Sequence, residues 1–94
     1  MDIKQFDDGK KGKFYIEIDG ILEAKMIYTY AGKDKIIIDH TEVGDKLRGQ
    51  SVGYKLVKAA VDFSRINNIK VIPLCPFAAA VFKKKHDDYK DVLS

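Results

Sequence analysis

The hydrophobic pattern of this chain changes period once, and the place of that change constrains the fold more than any other feature. Up to Val43 the apolar residues follow the period-two alternation of strands; beyond Ser51 they recur every three to four residues. Residues 3–6 read as a short strand, followed by the turn Asp7-Asp8-Gly9-Lys10-Lys11-Gly12. Residues 13–19 place Phe14, Ile16 and Ile18 on one face, with Tyr15 as the amphipathic exception on the other. Asp19-Gly20 supplies the positive φ angles of a tight hairpin. Residues 22–30 make a third strand and residues 35–43 a fourth. The run Ile36-Ile37-Ile38 predicts burial of that fourth strand on both faces and a central place in the sheet. From Ser51 to Ile66, Val52, Leu56, Ala60 and Phe63 form a helical stripe that Val57, Ala59 and Ile66 widen. Asn67-Asn68 closes the helix, residues 69–75 make a fifth strand, residues 77–85 a second helix, and residues 87–93 a short third one. A strand, a helix and another buried strand in succession require a parallel pair. The expected fold is therefore α+β: a mixed, mostly antiparallel sheet with one parallel β-α-β crossover and a C-terminal helix.

Ninety-four residues leave room for a single domain over residues 1–94. Ten aromatics and 46% apolar content exclude a disordered chain. The lone Cys75 excludes an intrachain disulfide and any multi-cysteine zinc site, and His86 with its neighbouring carboxylates lacks metal-ligand spacing, so no metal is expected. No apolar run reaches the ~18–20 residues of a membrane helix, and the first residues do not read as a signal peptide. A cytoplasmic setting and no membrane partner follow as expectations. The net charge of +3 is unevenly placed. Residues 1–47 carry eight lysines against ten acids, for −2, and residues 48–94 nine basic residues against four aspartates, for +5. The second half suits either an anionic ligand, a phosphorylated small molecule or nucleic acid, or simply a solvated basic face.

The junction between the two periods, Gly44-Asp45-Lys46-Leu47-Arg48-Gly49-Gln50-Ser51-Val52-Gly53, carries the chemistry. Small residues let successive N–H groups converge, the following helix adds the positive end of its dipole, and Arg48 offers a two-donor fork. These are the parts of a phosphate cradle. The spacing matches neither a Walker loop nor the dinucleotide fingerprint.

Arg48-Gly49-Gln50-Ser51-Val52-Gly53 resembles the Arg/Gln-x-x-Gly-x-Gly/Ala motif of the GNAT superfamily of acetyltransferases. Together with His40-Thr41-Glu42-Val43 and Val71-Ile72-Pro73-Leu74-Cys75-Pro76-Phe77, in that order and over nearly the whole chain, it is similar to the compact YjdJ-type subgroup, which lacks the N-terminal helices of larger members. The resemblance implies that Arg48, Gly49, Gln50, Ser51, Val52, Gly53 and Tyr54 bind the pyrophosphate of acetyl-CoA. It also implies that backbone groups of Thr41, Glu42 and Val43 pair with the pantetheine arm. Lys84, in the Lys83-Lys84-Lys85 run, is in reach of the 3′-phosphate. Ser51 stands where the motif has Gly, and a Cβ there hinders a positive φ and close approach to phosphate.

Acetyl transfer needs a neutral amine, a polarised carbonyl and a proton source for the thiolate. His40 and Glu42 share one face of the fourth strand, and either can take the proton from an incoming ammonium. Cys75, at the end of the fifth strand, can protonate the leaving thiolate, form an acetyl-thioester with His40 as base, or serve as a small buried hydrophobe. Tyr54 and Tyr89 read as partly buried tyrosines with exposed hydroxyls. The leading function is an acetyl-CoA-dependent N-acetyltransferase acting by direct attack on the thioester, with a small-molecule or peptide amine as acceptor and a monomer or weak homodimer as the working state. The alternative is a non-catalytic acyl-CoA-binding module. Nucleic-acid binding ranks behind both, because only two arginines are present and no aromatics interleave with the lysines.

Overall fold

Each strand predicted from period two forms, and each pairs with its neighbour in sequence. The computed structural model describes residues 2–94. It holds β1 (Lys4–Asp7), β2 (Lys11–Ile18), β3 (Ile21–Tyr30) and β4 (Lys35–Val43), then a 3-10 turn over Asp45–Leu47. Next come α1 (Val52–Ile66), β5 (Lys70–Pro73), α2 (Pro76–Lys84) and the single turn α3 (His86–Tyr89). The sheet order is β1-β2-β3-β4-β5, antiparallel except for the parallel pair β4–β5, as the change of period requires. Asp19 and Gly20 both have positive φ, 53° and 78°, which matches the hairpin to strand twist. Asn67 caps α1 through a 2.8 Å bond from its amide to the Phe63 carbonyl, and Asn68 takes the left-handed turn at φ 54°. Among the described residues, no helix is long and apolar enough to cross a membrane.

One face of the sheet forms the core. Phe14 and Ile16 of β2, Ala24, Met26 and Tyr28 of β3, and Ile36 and Ile38 of β4 are buried against Val52, Leu56, Val57, Ala60 and Val61 of α1 and Ala78, Val81 and Phe82 of α2. Ser64, fully buried among them, donates to the Ala60 carbonyl at 2.8 Å, so its hydroxyl is satisfied. Two expectations fail. Ile66 does not widen the buried stripe, because it is 81% exposed. Nine residues, two and a half turns, separate it from the fully buried Val57, so it faces the opposite side of the helix. The Ile run of β4 is not buried on both faces either: Ile36 and Ile38 are sealed but Ile37 is only half-buried. Helices cover one face alone, and the other, carrying Lys13, Ile27, Ile37 and Ile72, stays open.

The short edge strand β1 is held by a polar cluster. The hydroxyls of Tyr28 and Tyr30 donate to Oδ2 of Asp7 at 2.6 and 2.7 Å, and Gln5 donates to the Tyr28 hydroxyl at 2.9 Å. Tyr28 lies across Gly12, its register partner on β2; a Cβ at Gly12 would stand 2.5 Å from the Tyr28 ring. Glycine therefore lets β3 reach over β2 to β1. Burial pushes the Tyr28 hydroxyl up, with the bond to Asp7 adding to it, and the same causes push Tyr30 up to about 12. Burial works to raise the Asp7 carboxyl, but the bonds from Tyr28, Tyr30 and the Gly9 N–H together hold it below its ordinary value of 3.8. At the other edge, Arg65 forks onto Asp91 at 2.9 and 3.0 Å, and Val71 pairs with Leu93, so the C-terminal segment covers β5.

A depressed carboxylate stabilises the fold above its unfolded-state pKa, and that contribution is lost as pH falls through the folded value. Asp7→Asn should cost on the order of 1–2 kcal/mol at neutral pH, since it replaces charge-assisted bonds with weaker ones. It should also flatten the acid limb of the stability curve below about pH 4. Urea unfolding from pH 7 to pH 3 reads both.

Candidate active site

The site begins where β4 and β5 part. They pair in parallel from Lys35–Lys70 to Ile38–Pro73, and Pro73 is followed by Leu74, whose N–H turns back to the Ile72 carbonyl at 3.0 Å. The Cys75 N–H makes the last link, to the Ile38 carbonyl at 2.9 Å. Pro76 then opens α2 at a position where its missing N–H costs nothing. From residue 39 onward β4 runs on for five residues with β3 on one side and no strand on the other. That side of residues 41–43 is an open row of backbone donors and acceptors.

A bulge sets which side chains face which way along this stretch. Ile27 opposes His40 and Tyr28 opposes Ile38, so Asp39 is the extra residue of β4. Thr41 and Val43 consequently share the face of Met26 and Ala24, toward the helices, while His40 and Glu42 share the open face with Ile27 and Lys25. His40 Nε2 lies 2.8 Å from Glu42 Oε1, and Lys25 Nζ lies 3.8 Å from Glu42 Oε2. The bond to His40, with Lys25 next, holds the Glu42 carboxyl below the usual carboxylate range. On the helix face, the 5% exposed Cys75 donates its thiol to Thr41 Oγ1 at 3.5 Å. The structure thus brings His40 to Glu42 and Cys75 to Thr41, but puts the two pairs on opposite faces of β4. It does not bring His40 to Cys75.

Below the open edge lies the loop. Gly49 (φ 79°) and Ser51 (φ 58°) are both left-handed, and Lys55 makes the first helical bond back to Ser51 at 3.2 Å. The N–H groups of Val52, Gly53 and Tyr54 start α1 without an intrahelical acceptor. Ser51 makes no capping bond, and no acid occupies the first turn, so the positive end of the helix dipole is uncompensated. Arg48 pairs with Asp45 at 3.2 Å, both well exposed, and the exposed Gln50 folds back on the loop, its amide donating to the Lys46 carbonyl at 3.2 Å. Space above Gly49 is open, with nothing within 4 Å of a would-be Cβ. Gly53 has a different reason. A Cβ there would meet the Phe77 ring at 2.5 Å, and that ring packs edge-on to Tyr54 at 5.9 Å. Lys84 and Lys85 place their ammonium groups 5.8 and 6.0 Å from the Tyr54 ring. One end of the molecule therefore gathers the α1 N-terminus and both lysines.

A cleft of about 470 Å³ adjoins the open strand edge, lined by residues of β3 and β4 together with Gly44 and Arg48. Sequence reading missed several of its parts. Glu23 accepts the Gly44 N–H at its carbonyl (2.7 Å) and faces Lys46 at 3.6 Å, so it fixes where the loop leaves β4. Nothing in the local pattern singles out Glu23, because its role rests on an irregularity between Ile16 and Glu17 that leaves it without a register partner. Phe77, outside the cleft, was legible as the end of the Val71–Phe77 stretch and the start of a helix, but its packing over Gly53 was not.

Comparison with known proteins supports the same placement. A family model described as GCN5-related N-acetyl-transferase matches residues 13–92. Protein NATD1 of Xenopus tropicalis is 35% identical over 69 residues, a stretch covering 72% of this chain and 63% of that protein, so the match spans under two thirds of that relative's length. A GCN5-like protein of Staphylococcus aureus, solved by NMR, superposes with a TM-score of 0.76 at 40% identity, over 99% of this chain and 87% of its own. An aminoglycoside N-acetyltransferase in complex with CoA shares the fold alone, with a TM-score of 0.62 at 13% identity over 88% of each chain. With the parted parallel strands, the left-handed loop and the uncapped helix in the order this family model spans, the chain belongs to the GCN5-related N-acetyltransferase family.

Proposed function

We propose that the protein moves an acetyl group from acetyl-CoA to an amine by direct attack. The observation that carries this reading is the parting of β4 from β5 beside a left-handed loop and a helix N-terminus. The residues present fit the co-substrate: the backbone above Gly49 is open, the first N–H groups of α1 lack intrahelical partners, and residues 41–43 have a free hydrogen-bonding edge. Acetyl-CoA, when bound, supplies the thioester that is attacked.

The chain's own groups divide the remaining work. The N–H groups of Val52, Gly53 and Tyr54, with Arg48 released from Asp45, hold phosphate oxygens, and Lys84 adds charge beside Tyr54. The edge of Thr41, Glu42 and Val43 orients the arm, and an N–H there polarises the thioester oxygen. His40, paired with Glu42 on the open face, takes the proton from the amine. Cys75 sits on the other face, with Thr41 positioning its thiol; that separation favours a proton-donating role over one as a nucleophile activated by His40. The acceptor is a small-molecule or peptide amine that reaches His40 from the open face. A cytoplasmic setting suits the free thiol of Cys75.

Ser51 favours a second reading, a non-catalytic acyl-CoA-binding module. A side chain at φ 58° costs ~1–2 kcal/mol that glycine avoids. Ser51→Gly should raise Tm by roughly 4 °C, about 1 kcal/mol for a domain of this size, and tighten CoA binding. Calorimetry showing equal or weaker binding overturns the second half of that statement.

The decisive experiment titrates CoA while following the amide shifts of residues 49–54, then measures acetyl-CoA turnover with a panel of amines. Shifts with amine-dependent turnover support the transferase; shifts without turnover support the module; no shifts reject both. Direct attack forms no acetyl-Cys75: Cys75→Ser that retains most of the turnover excludes the covalent route, and an acetylated Cys75 found by mass spectrometry establishes it.

A further inference from the structure

Around the His40–Glu42 pair, the open face of the sheet carries further charged residues that the acetyl-transfer reading does not use. Strand register sorts the face into rows. One row runs Phe6, Lys13, Ile27, His40 from β1 to β4. The next toward the Lys11 end of β2 runs Lys11, Thr29, Ile37, and the bulged Asp39 leans into it, its Oδ2 accepting from Thr29 Oγ1 at 2.5 Å. On the other side the row is Lys4, Tyr15, Lys25, Glu42. Lys11 and Lys13 therefore lie on β2 and Asp39 and Glu42 on β4, with the half-buried Ile27 between them; Lys4 is paired with Glu17 at 3.2 Å, and Lys35 stands apart at the start of β4. At the two margins stand apolar side chains in solvent: Phe6 on β1, 50% exposed, and Leu74 just past β5, 67% exposed.

We infer that this face pairs with the same face of a second copy, about a two-fold axis parallel to the strands and passing over Ile27. Such an axis sets β2 over the partner's β4 and β1 over the partner's β5, keeping each row at its own level. Lys11 then meets the partner's Asp39, Tyr15 meets the partner's Glu42, and Phe6 meets the partner's Leu74, which follows the Pro73 that pairs with Ile38. Each of these off-axis contacts occurs twice. Ile27 packs on its own symmetry mate. The Lys25 row brings like charges to the axis, but Glu42 of the same chain lies 3.8 Å from Lys25 and offsets it. Lys13 stands over the partner's His40, so each copy walls the open side of the other's His40–Glu42 pair. Four strand spacings of ~4.8 Å and strands of ~8–10 residues give a face on the order of 500–600 Å² per copy, at the lower end of specific interfaces. The dimer is therefore weak and concentration-dependent.

Sedimentation velocity from micromolar to millimolar protein tests this with the intact chain. The expected result is a mass rising from 10.6 kDa toward twice that value, with the dimer weakening as salt is added. Lys11→Glu should weaken it roughly tenfold, since the reversed charge is felt at two symmetric contacts, and Asp39→Lys in the same chain should restore it. Phe6→Ser, at an exposed edge position, should also shift the equilibrium toward monomer while leaving the amide spectrum of the core unchanged. A 10.6 kDa species at every concentration overturns the proposal. So does a dimer indifferent to Phe6→Ser and Lys11→Glu. Both outcomes are independent of whether CoA binds or turns over.

Discussion

The site depends on one hydrogen bond. When the Cys75 N–H closes on the Ile38 carbonyl, the parallel pair ends and β4 continues alone on that side. Sheets ordinarily pair or cover such an edge, because unpaired backbone groups invite association or cost stability when dry. Here the divergence is enforced by covalent structure. Pro73 and Pro76 bracket the turn and neither has an N–H to extend the ladder. The same turn delivers Cys75 to the helix face, starts α2, and lets Phe77 close over Gly53 at the head of α1. The loop, the open edge and the thiol are thus consequences of where one strand stops.

Most of this was legible in the sequence because the signals were local. The alternation of Phe14, Ile16 and Ile18, the Asp19-Gly20 turn, and the helical stripe of Val52, Leu56 and Ala60 each lie within a few residues. The pairing of His40 with Glu42 followed from period two, and survived because the bulge at Asp39 lies before both. The bulge itself was not legible. It depends on how β3 and β4 accommodate one another, and no residue type announces it. The triple isoleucine misled for a related reason: an apolar run reports what a strand can bury, while the number of covering layers decides what it does bury. One layer of helices covers this sheet, so Ile37 is left half-buried.

Ser51 shows a local rule yielding to a larger demand. A left-handed conformation before α1 is needed to swing the chain from the 3-10 turn into the helix, and it is adopted despite the Cβ. Burial of Val52, Leu56 and Val57 on the sheet outweighs ~1–2 kcal/mol of backbone strain, since each such side chain contributes about as much on its own. The geometry of the phosphate loop is therefore set by packing of the helix that follows it, not by the loop sequence alone. That is why Arg48 and Gln50 can spend their hydrogen-bonding groups within the loop, on Asp45 and Lys46, without its losing shape.

The uneven charge first read along the sequence acquires a different meaning in three dimensions. The positive second half gathers Lys84 and Lys85 beside Tyr54 and the α1 N-terminus, at the end suited to phosphate. The first half, net negative as a sequence, is not uniformly so on the sheet. Alternation sends Lys11, Lys13 and Lys25 to the open face, while Asp7 turns to the helix face to hold Tyr28 and Tyr30. Lys11 and Lys13 of β2 thereby face Asp39 and Glu42 of β4 across one surface, while Lys4 is matched by Glu17. Period two thus sorts charge by face as well as by sequence, and a chain with helices on only one side leaves that sorted face in solvent.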